Sequence, residues 1–276
     1  MDIIVAIIIG IVQGLTEFLP VSSSAHLVFA QTFFGLNSNN ISFDVLLHLG
    51  TLVAVVGFFL PDIINMIIAF FKSIADLFRG QFREGIQEDP YKKLAWYTIA
   101  ASVPVGIVGI LFNDLVSSLF SGVTFPAFFL LITGCLLYYS ERHTNGDVNL
   151  KNLSLKDSVF MGIGQACAIL PGLSRSGTTI AFGYLAGLNK EFAAKFSFIL
   201  SIPAILGAAL VEMNGISAGF ATNVIPYTLG FLAAVISGLF AIKVLLKLIQ
   251  EKSLDIFAYY CWIVGAIILV GSLFFF

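Results

Sequence analysis

Glu17, Ser22, Ser23, Ser24 and His26 fall within one stretch, GLTEFLPVSSSAHL, whose flanks are nearly all apolar. A second stretch, PGLSRSGTT, places Ser174, Arg175, Ser176, Thr178 and Thr179 in similar surroundings. Polar groups in hydrocarbon are costly unless something satisfies them, so both clusters need a reason. Gln13 and Glu17 are four residues apart and share one helical face. The Gly-rich turn at Pro171-Gly172 can aim backbone N–H groups at an anion, and a helix starting near Ser176 adds its positive end. Arg175 offers a planar fork suited to phosphate oxygens. His26 is the natural proton donor or acceptor near neutral pH. A serine beside such a base is a candidate nucleophile. The pattern predicts phosphate chemistry on a substrate whose remaining bulk is compatible with lipid.

Blander roles compete at each position. Serines and threonines at helix breaks often cap helices. Gln13 could only bridge helices. Glu17 and Arg175 could be a structural ion pair, although burying both would be expensive. His48, inside Leu47-His48-Leu49, reads as a helix-packing residue, and His143 as a solvated loop residue. Cys135, Cys167 and Cys261 are far apart in apolar runs, which suggests neither a disulfide framework nor a zinc site. A Cys-x5-Arg phosphate loop is excluded, because seven residues separate Cys167 from Arg175.

The elements that must position these residues are membrane helices. The 276 residues are 58% hydrophobic and 11% charged, with mean hydropathy +0.98, against about 25% charged in soluble domains. No basic residue precedes Lys72, so the first apolar stretch lacks the positive region of a signal peptide and is expected to be retained. A span takes roughly 20 apolar residues. Continuous candidates are 43–60, 94–112, 125–140, 192–211, 225–249 and 255–276. Two further segments, about 3–34 and 158–187, are broken midway by Pro, Gly and Ser. Each is predicted to be a re-entrant hairpin, since irregular backbone at membrane depth survives only inside protein or along a wet cavity. The fold class is therefore an all-α integral membrane protein of six spans plus two re-entrant helical hairpins.

Basic residues support this layout. It places 13 of the 14 Lys and Arg residues on one face, in loops 61–93, 141–157, 188–191 and 250–254 or at adjoining helix ends. The opposite face, with both termini and loops 35–42, 113–124 and 212–224, receives none. Positive-inside bias assigns the basic face to the cytoplasm. Arg175 is the exception, at a hairpin tip, and an intramembrane arginine is a functional candidate by default.

Shifting the chain by 152 residues superposes Gly10-Ile11-x-Gln13 on Gly162-Ile163-x-Gln165 and Ser22-x-Ser24 on Ser174-x-Ser176. With hairpins entering from opposite faces, this predicts an inverted-topology repeat with its broken tips near the midplane. The single polytopic domain divides into a first repeat of about 1–112, a second of about 125–249, and a final span.

The motifs QGLTEFLPVSSSAH and PGLSRSGTT resemble the two signatures of the bacitracin-resistance family of undecaprenyl-diphosphate phosphatases. The resemblance covers nearly the whole chain. It implies a multi-pass bacterial plasma-membrane hydrolase, converting undecaprenyl diphosphate to the monophosphate carrier for peptidoglycan synthesis and so conferring bacitracin resistance. It implies Glu17, Ser23, His26 and Arg175 as catalytic residues, with Gln13, Ser22, Ser174, Arg175, Ser176 and Thr178 around the phosphate. It also implies a divalent cation, Mg2+ or Ca2+, with Glu17 a candidate ligand. The family's first motif is Glu or Gln, three residues, then Glu; this chain carries the Gln form, leaving one carboxylate. The expected partners are a polyprenyl diphosphate lipid and the bilayer, not nucleic acid; a homodimer is compatible with the sequence. A transporter or flippase using the same pocket is the alternative of another class. The acid-phosphatase-like lipid phosphatases fit poorly, because no histidine follows Arg175.

Overall fold

The computed structural model describes residues 1–36, 41–112, 118–119, 122–144, 146–213, 216, 220–221 and 223–275. Parts of the expected outer loops 35–42, 113–124 and 212–224, and Phe276, lie outside the described residues. Every regular element among the described residues is a helix, apart from one bridge pair between Val148 and Leu188.

Each broken apolar segment is two short helices. The first is α1 (Ile3–Phe18) and α2 (Ser23–Phe33). After α3 (Ile41–Phe58) come α4 (Leu60–Phe78), α5 (Phe82–Glu88), α6 (Pro90–Leu111) and α7 (Thr124–Arg142). The second broken segment is α8 (Leu155–Cys167) and α9 (Arg175–Leu185), followed by α10 (Lys190–Val211), α11 (Val224–Glu251) and α12 (Asp255–Phe275). At 1.5 Å per residue, α1 is about 24 Å long and α8 about 20 Å, short of the roughly 30 Å hydrocarbon core. Neither half-segment crosses alone. Helices α6, α7, α10, α11 and α12 are long and apolar enough to cross, and α3 passes the same test jointly with α4.

The segment 61–78 corrects the sequence expectation of a loop: it is α4, bent by 84° from α3. Its charges Asp62, Lys72 and Asp76 interrupt a linear run of apolar residues. Ile64, Ile67, Ile68 and Phe71 nevertheless recur at helical spacing and stay exposed on one stripe.

Ion pairs and hydrogen bonds gather the basic helix ends at one end of the bundle. Lys195 at the start of α10 meets Asp62 at 2.8 Å, and Arg142 at the end of α7 meets Asp255 at 2.8 Å. Lys190 pairs with Glu141. The Lys93 ammonium donates to the Lys151 carbonyl at 2.7 Å, bringing the start of α6 beside the approach to α8. Hairpin two thus enters from the basic end. Hairpin one enters from the other: the Met1 amino group donates to Asn223 Oδ1 at 3.1 Å, at the start of α11, whose far end carries Lys247 and Glu251. At that same opposite end Ser42 donates to Glu212, joining the start of α3 to the end of α10.

Two glycines set how closely the hairpins seat. A Cβ on Gly10 would lie 2.2 Å from the Gly230 carbonyl oxygen of α11, and one on Gly162 would lie 2.1 Å from the Ala101 oxygen of α6. These glycines correspond under the 152-residue shift, and each marks the crossing of its hairpin on a long helix.

Candidate active site

The two tips meet in the interior. Pro20 ends α1 by denying the next turn an N–H, and the chain turns through Ser22, whose φ is +67°, before α2 starts at Ser23. In hairpin two, Gly172 takes a φ of +100°, a conformation that favours glycine, before Ser174 caps α9. Ser22 caps α2 by accepting from the Ala25 N–H at 3.4 Å, and Ser174 caps α9 by accepting from the Gly177 N–H at 3.0 Å. The tips then interlock: the Gly172 N–H donates to Ser24 Oγ at 3.2 Å, and Ser176 Oγ donates to the Leu19 carbonyl at 3.2 Å. Thr133 of α7 braces the second tip, accepting from the Ser174 N–H and donating to the Gly172 carbonyl, both at 3.0 Å.

Glu17 lies at the centre, with a side chain only 5% exposed. Its Oε1 accepts from Arg175 Nη2 at 2.5 Å. Its Oε2 accepts from Ser23 Oγ at 2.6 Å and from Gln13 Nε2 at 2.9 Å. Arg175 Nη1 also donates to the Ser197 carbonyl at 3.4 Å. Among the described residues, every other Lys or Arg paired to a carboxylate sits at a helix end on the basic side. The N-termini of α2 and α9 both begin at this junction, so two positive dipole ends converge on it. Gln13 Oε1 and Thr178 Oγ1 are among five buried side-chain atoms of the described residues without a hydrogen-bond partner. Such orphans are rare and call for an explanation.

These features match a known family across most of the chain. The family model described as "Bacitracin resistance protein BacA" matches residues 6–267. The chain belongs to the BacA family. Among similar proteins is the "Undecaprenyl-diphosphatase" of Methanobrevibacter smithii, 64% identical over 274 residues covering 99% of both chains. Another is the "Undecaprenyl-diphosphatase" of Methanosphaera stadtmanae, 47% identical over 274 residues with 99% of both covered. That of Carboxydothermus hydrogenoformans is 44% identical over 272 residues, covering 96% of this chain and 95% of the relative.

Within this BacA-family site, the fold brings Gln13, Glu17, Ser23 and Arg175 into direct contact. Ser22, Ser174 and Ser176 hold the tips, and Thr178 lies buried in the first turns of α9. His26 faces elsewhere. Its Nδ1 lies 2.8 Å from the Ser22 carbonyl and its Nε2 2.7 Å from the Tyr260 hydroxyl of α12. A carbonyl takes only a donor, so Nδ1 carries a hydrogen, and in the neutral ring Nε2 accepts from the tyrosine. The histidine nearest Glu17 is His48, with Nε2 3.5 Å from Oε2. The residue read from the sequence as helix packing thus packs against the Glu17 carboxylate. Asp44, His48 and Thr51 form a polar row at spacings of four and three on α3, and that row was the available signal.

The described residues hold no cluster of three or more His, Cys, Asp or Glu side chains able to bind a metal. Glu17 and the unpartnered Gln13 Oε1 are, however, oxygen donors one helical turn apart. Hard divalent cations take such donors and complete their shell with substrate phosphates and water. Two oxygen donors do not cage an ion, so any ion held here would take the rest of its shell from outside the protein.

Proposed function

We propose that this chain is an undecaprenyl-diphosphate phosphatase, releasing inorganic phosphate and undecaprenyl phosphate, and that its activity confers bacitracin resistance by renewing the lipid carrier. The observation that carries the reading is Glu17, held at once by a serine hydroxyl at 2.6 Å and an arginine at 2.5 Å where two helix N-termini meet. The names of the relatives point the same way.

Arg175 and the α2 and α9 N-termini bind the terminal phosphate, with Ser174, Ser176 and Thr178 lining it and Gln13 and Ser22 beside Glu17. Ser23 Oγ attacks the terminal phosphorus. The P–O bond to the bridging oxygen breaks, undecaprenyl phosphate leaves, and the hydroxyl proton passes to Glu17 Oε2. Glu17 releases that proton to solvent, and water then attacks the phosphoserine. Glu17 takes the water proton and returns it to Ser23 Oγ as the P–Oγ bond breaks. Glu17 and Gln13 would hold a divalent cation, which would supply neutralisation of phosphate charge. His26 acts from the rim, with its proton position fixed between Ser22 and Tyr260.

The prenyl chain needs an apolar route to the tips. A groove of about 550 Å³ between α6 and α8, lined by Val103, Pro104, Ile107, Ile163 and Leu170, reaches the second tip from the lipid side. Pro104 removes a hydrogen bond from α6 where the groove runs. The test is phosphate release from undecaprenyl diphosphate by the purified protein in detergent, with and without a chelator. Release that stops on chelation and returns with Mg2+ or Ca2+ is expected. No release under any condition overturns the phosphatase reading, and full release in chelator removes the ion from it.

A further inference from the structure

We propose that α4, with the start of α5, is a docking surface for anionic phospholipid at the basic end of the bundle. Helix α4 leaves α3 at a bend of 84° and carries Ile64, Ile67, Ile68, Phe71 and Phe78 exposed on one stripe. Asn65, Lys72 and Arg79, all exposed, recur every seven residues along one edge of that stripe. An apolar stripe edged by cations is the pattern of a helix lying in a bilayer surface. Acyl chains cover the stripe, and the long basic side chains reach the headgroups.

Contacts with α6 set the depth and the roll of this helix. Phe70 packs on Trp96 with ring centroids 5.2 Å apart, and Phe82 of α5 meets the same ring at 5.3 Å. Trp96 Nε1 donates to Ser73 Oγ at 2.8 Å. Trp96 lies in the second turn of α6, whose start belongs to the basic end. Tryptophan favours the membrane–water interface, where its ring is covered and its N–H is paired. Phe70 and Lys72 are two residues apart and so fall on opposite flanks of α4. With the Phe70 flank fixed on Trp96, the flank of Lys72 and Arg79 turns away from α6.

The charges of the segment are sorted by side. Asp76 lies one turn after Lys72, in reach of a helical ion pair, yet it meets Lys92 of α6 at 2.5 Å. Asp62 meets Lys195 of α10. Glu84 and Glu88 line a hollow of about 220 Å³ with Asp76 and Lys92, while Arg83 falls on the other face of α5. Lys72, Arg79 and Arg83 are exposed, and among the described residues none of them pairs with a carboxylate. The acids thus face the protein and these three cations do not. A lipid phosphate accepts from ammonium and guanidinium groups while its acyl chains cover the stripe. A zwitterionic lipid covers the stripe equally well but offers the cations no net charge.

The test titrates the full-length, detergent-purified protein with phosphatidylglycerol or phosphatidylcholine and reads bound lipid by native mass spectrometry. Three proteins are compared: wild type, the triple variant Lys72→Gln, Arg79→Gln, Arg83→Gln, and the control Lys156→Gln, Lys252→Gln. The control removes two exposed cations of the same end that border no apolar stripe. Wild type should prefer phosphatidylglycerol. The triple variant should lose affinity for it by roughly fivefold per charge removed, with phosphatidylcholine binding unchanged. The control should keep the wild-type preference. Equal binding of the two lipids by wild type overturns the proposal. So does a control that loses as much as the triple variant, which marks diffuse charge and no site on α4. Displacement of phosphatidylglycerol by inorganic phosphate at constant ionic strength overturns it as well, since the site would then read a free anion. If the triple variant does not fold, Lys72→Gln alone decides, with a roughly fivefold loss expected and wild-type affinity counting against the surface.

Discussion

Ser23 follows the only non-glycine residue with positive φ among the described residues, Ser22 at +67°. Such a backbone costs of order 1–3 kcal/mol and persists where the surroundings enforce it. Here it turns the chain sharply enough that the first residue of α2 reaches back to Glu17, six positions earlier. Ser23→Ala keeps the turn and removes only the hydroxyl. With serine as nucleophile, kcat should fall by roughly 1,000-fold while substrate still binds, as for loss of an interaction made only in the transition state. A kcat above about a tenth of wild type assigns the attack to water activated by Glu17. Glu17 and Arg175 were legible in the sequence because charge at membrane depth demands partners, whereas Ser23 was singled out among three serines only by the family resemblance. Proximity in the chain did not predict which histidine lies nearest Glu17. His26 is nine positions from Glu17 but bonds Tyr260, whereas His48 is 31 positions away and lies beside the carboxylate. Which helix a third helix packs against is a tertiary fact that spacing along one segment does not contain.

At the scale of elements, the six spans and two breaks were readable because hydropathy and the Pro-Gly-Ser interruptions act locally. Helix α4 was not, because its apolar stripe is visible only at helical periodicity and its charges break every linear window. Bent 84° from α3, with Ile64, Ile67, Ile68 and Phe71 exposed, it has the form of a helix lying in the membrane interface. The seating of the hairpins depends on backbone approach more than on hydropathy. At Gly162 a Cβ would meet the Ala101 backbone 2.1 Å away, and backbone cannot rotate aside. Gly162→Val should push α8 off α6, cost roughly 1–3 kcal/mol, and displace the tip that carries Arg175. A lowered melting temperature in detergent together with lost phosphatase activity is expected. Gly207→Ala in α10, where nothing lies within 4 Å of the new Cβ, is the control. It should be neutral or stabilising by roughly 0.5–1 kcal/mol. Equal melting temperatures for the two variants would dismiss close packing as the determinant.

For the whole molecule, the packing is reciprocal: α1 lies along α11 and α8 lies along α6, while α3 meets α10 between them. We infer that α1, α2, α3 and α6, within 1–112, and α8, α9, α10 and α11, within 125–249, are two copies of one plan inserted with opposite sense, while α7 pairs with α12. Such an arrangement places one polar junction near the midplane and leaves access from either face a question of orientation. Positive-inside bias on the basic helix ends predicts that orientation. Hairpin one, which carries Glu17 and Ser23, then enters from outside, and so does the start of α3 with Asp44 and His48. A diphosphate headgroup does not cross hydrocarbon unaided, so the site draws lipid from the leaflet it opens to. Ala221, exposed near the start of α11, belongs to the predicted outer face, and Lys156, exposed at the start of α8, to the inner one. With Cys135, Cys167 and Cys261 replaced, Ala221→Cys should react with a membrane-impermeant thiol reagent added to intact cells. Lys156→Cys should react only after the membrane is opened. The opposite pattern would turn the molecule over, and substrate would then have to come from the cytoplasmic leaflet.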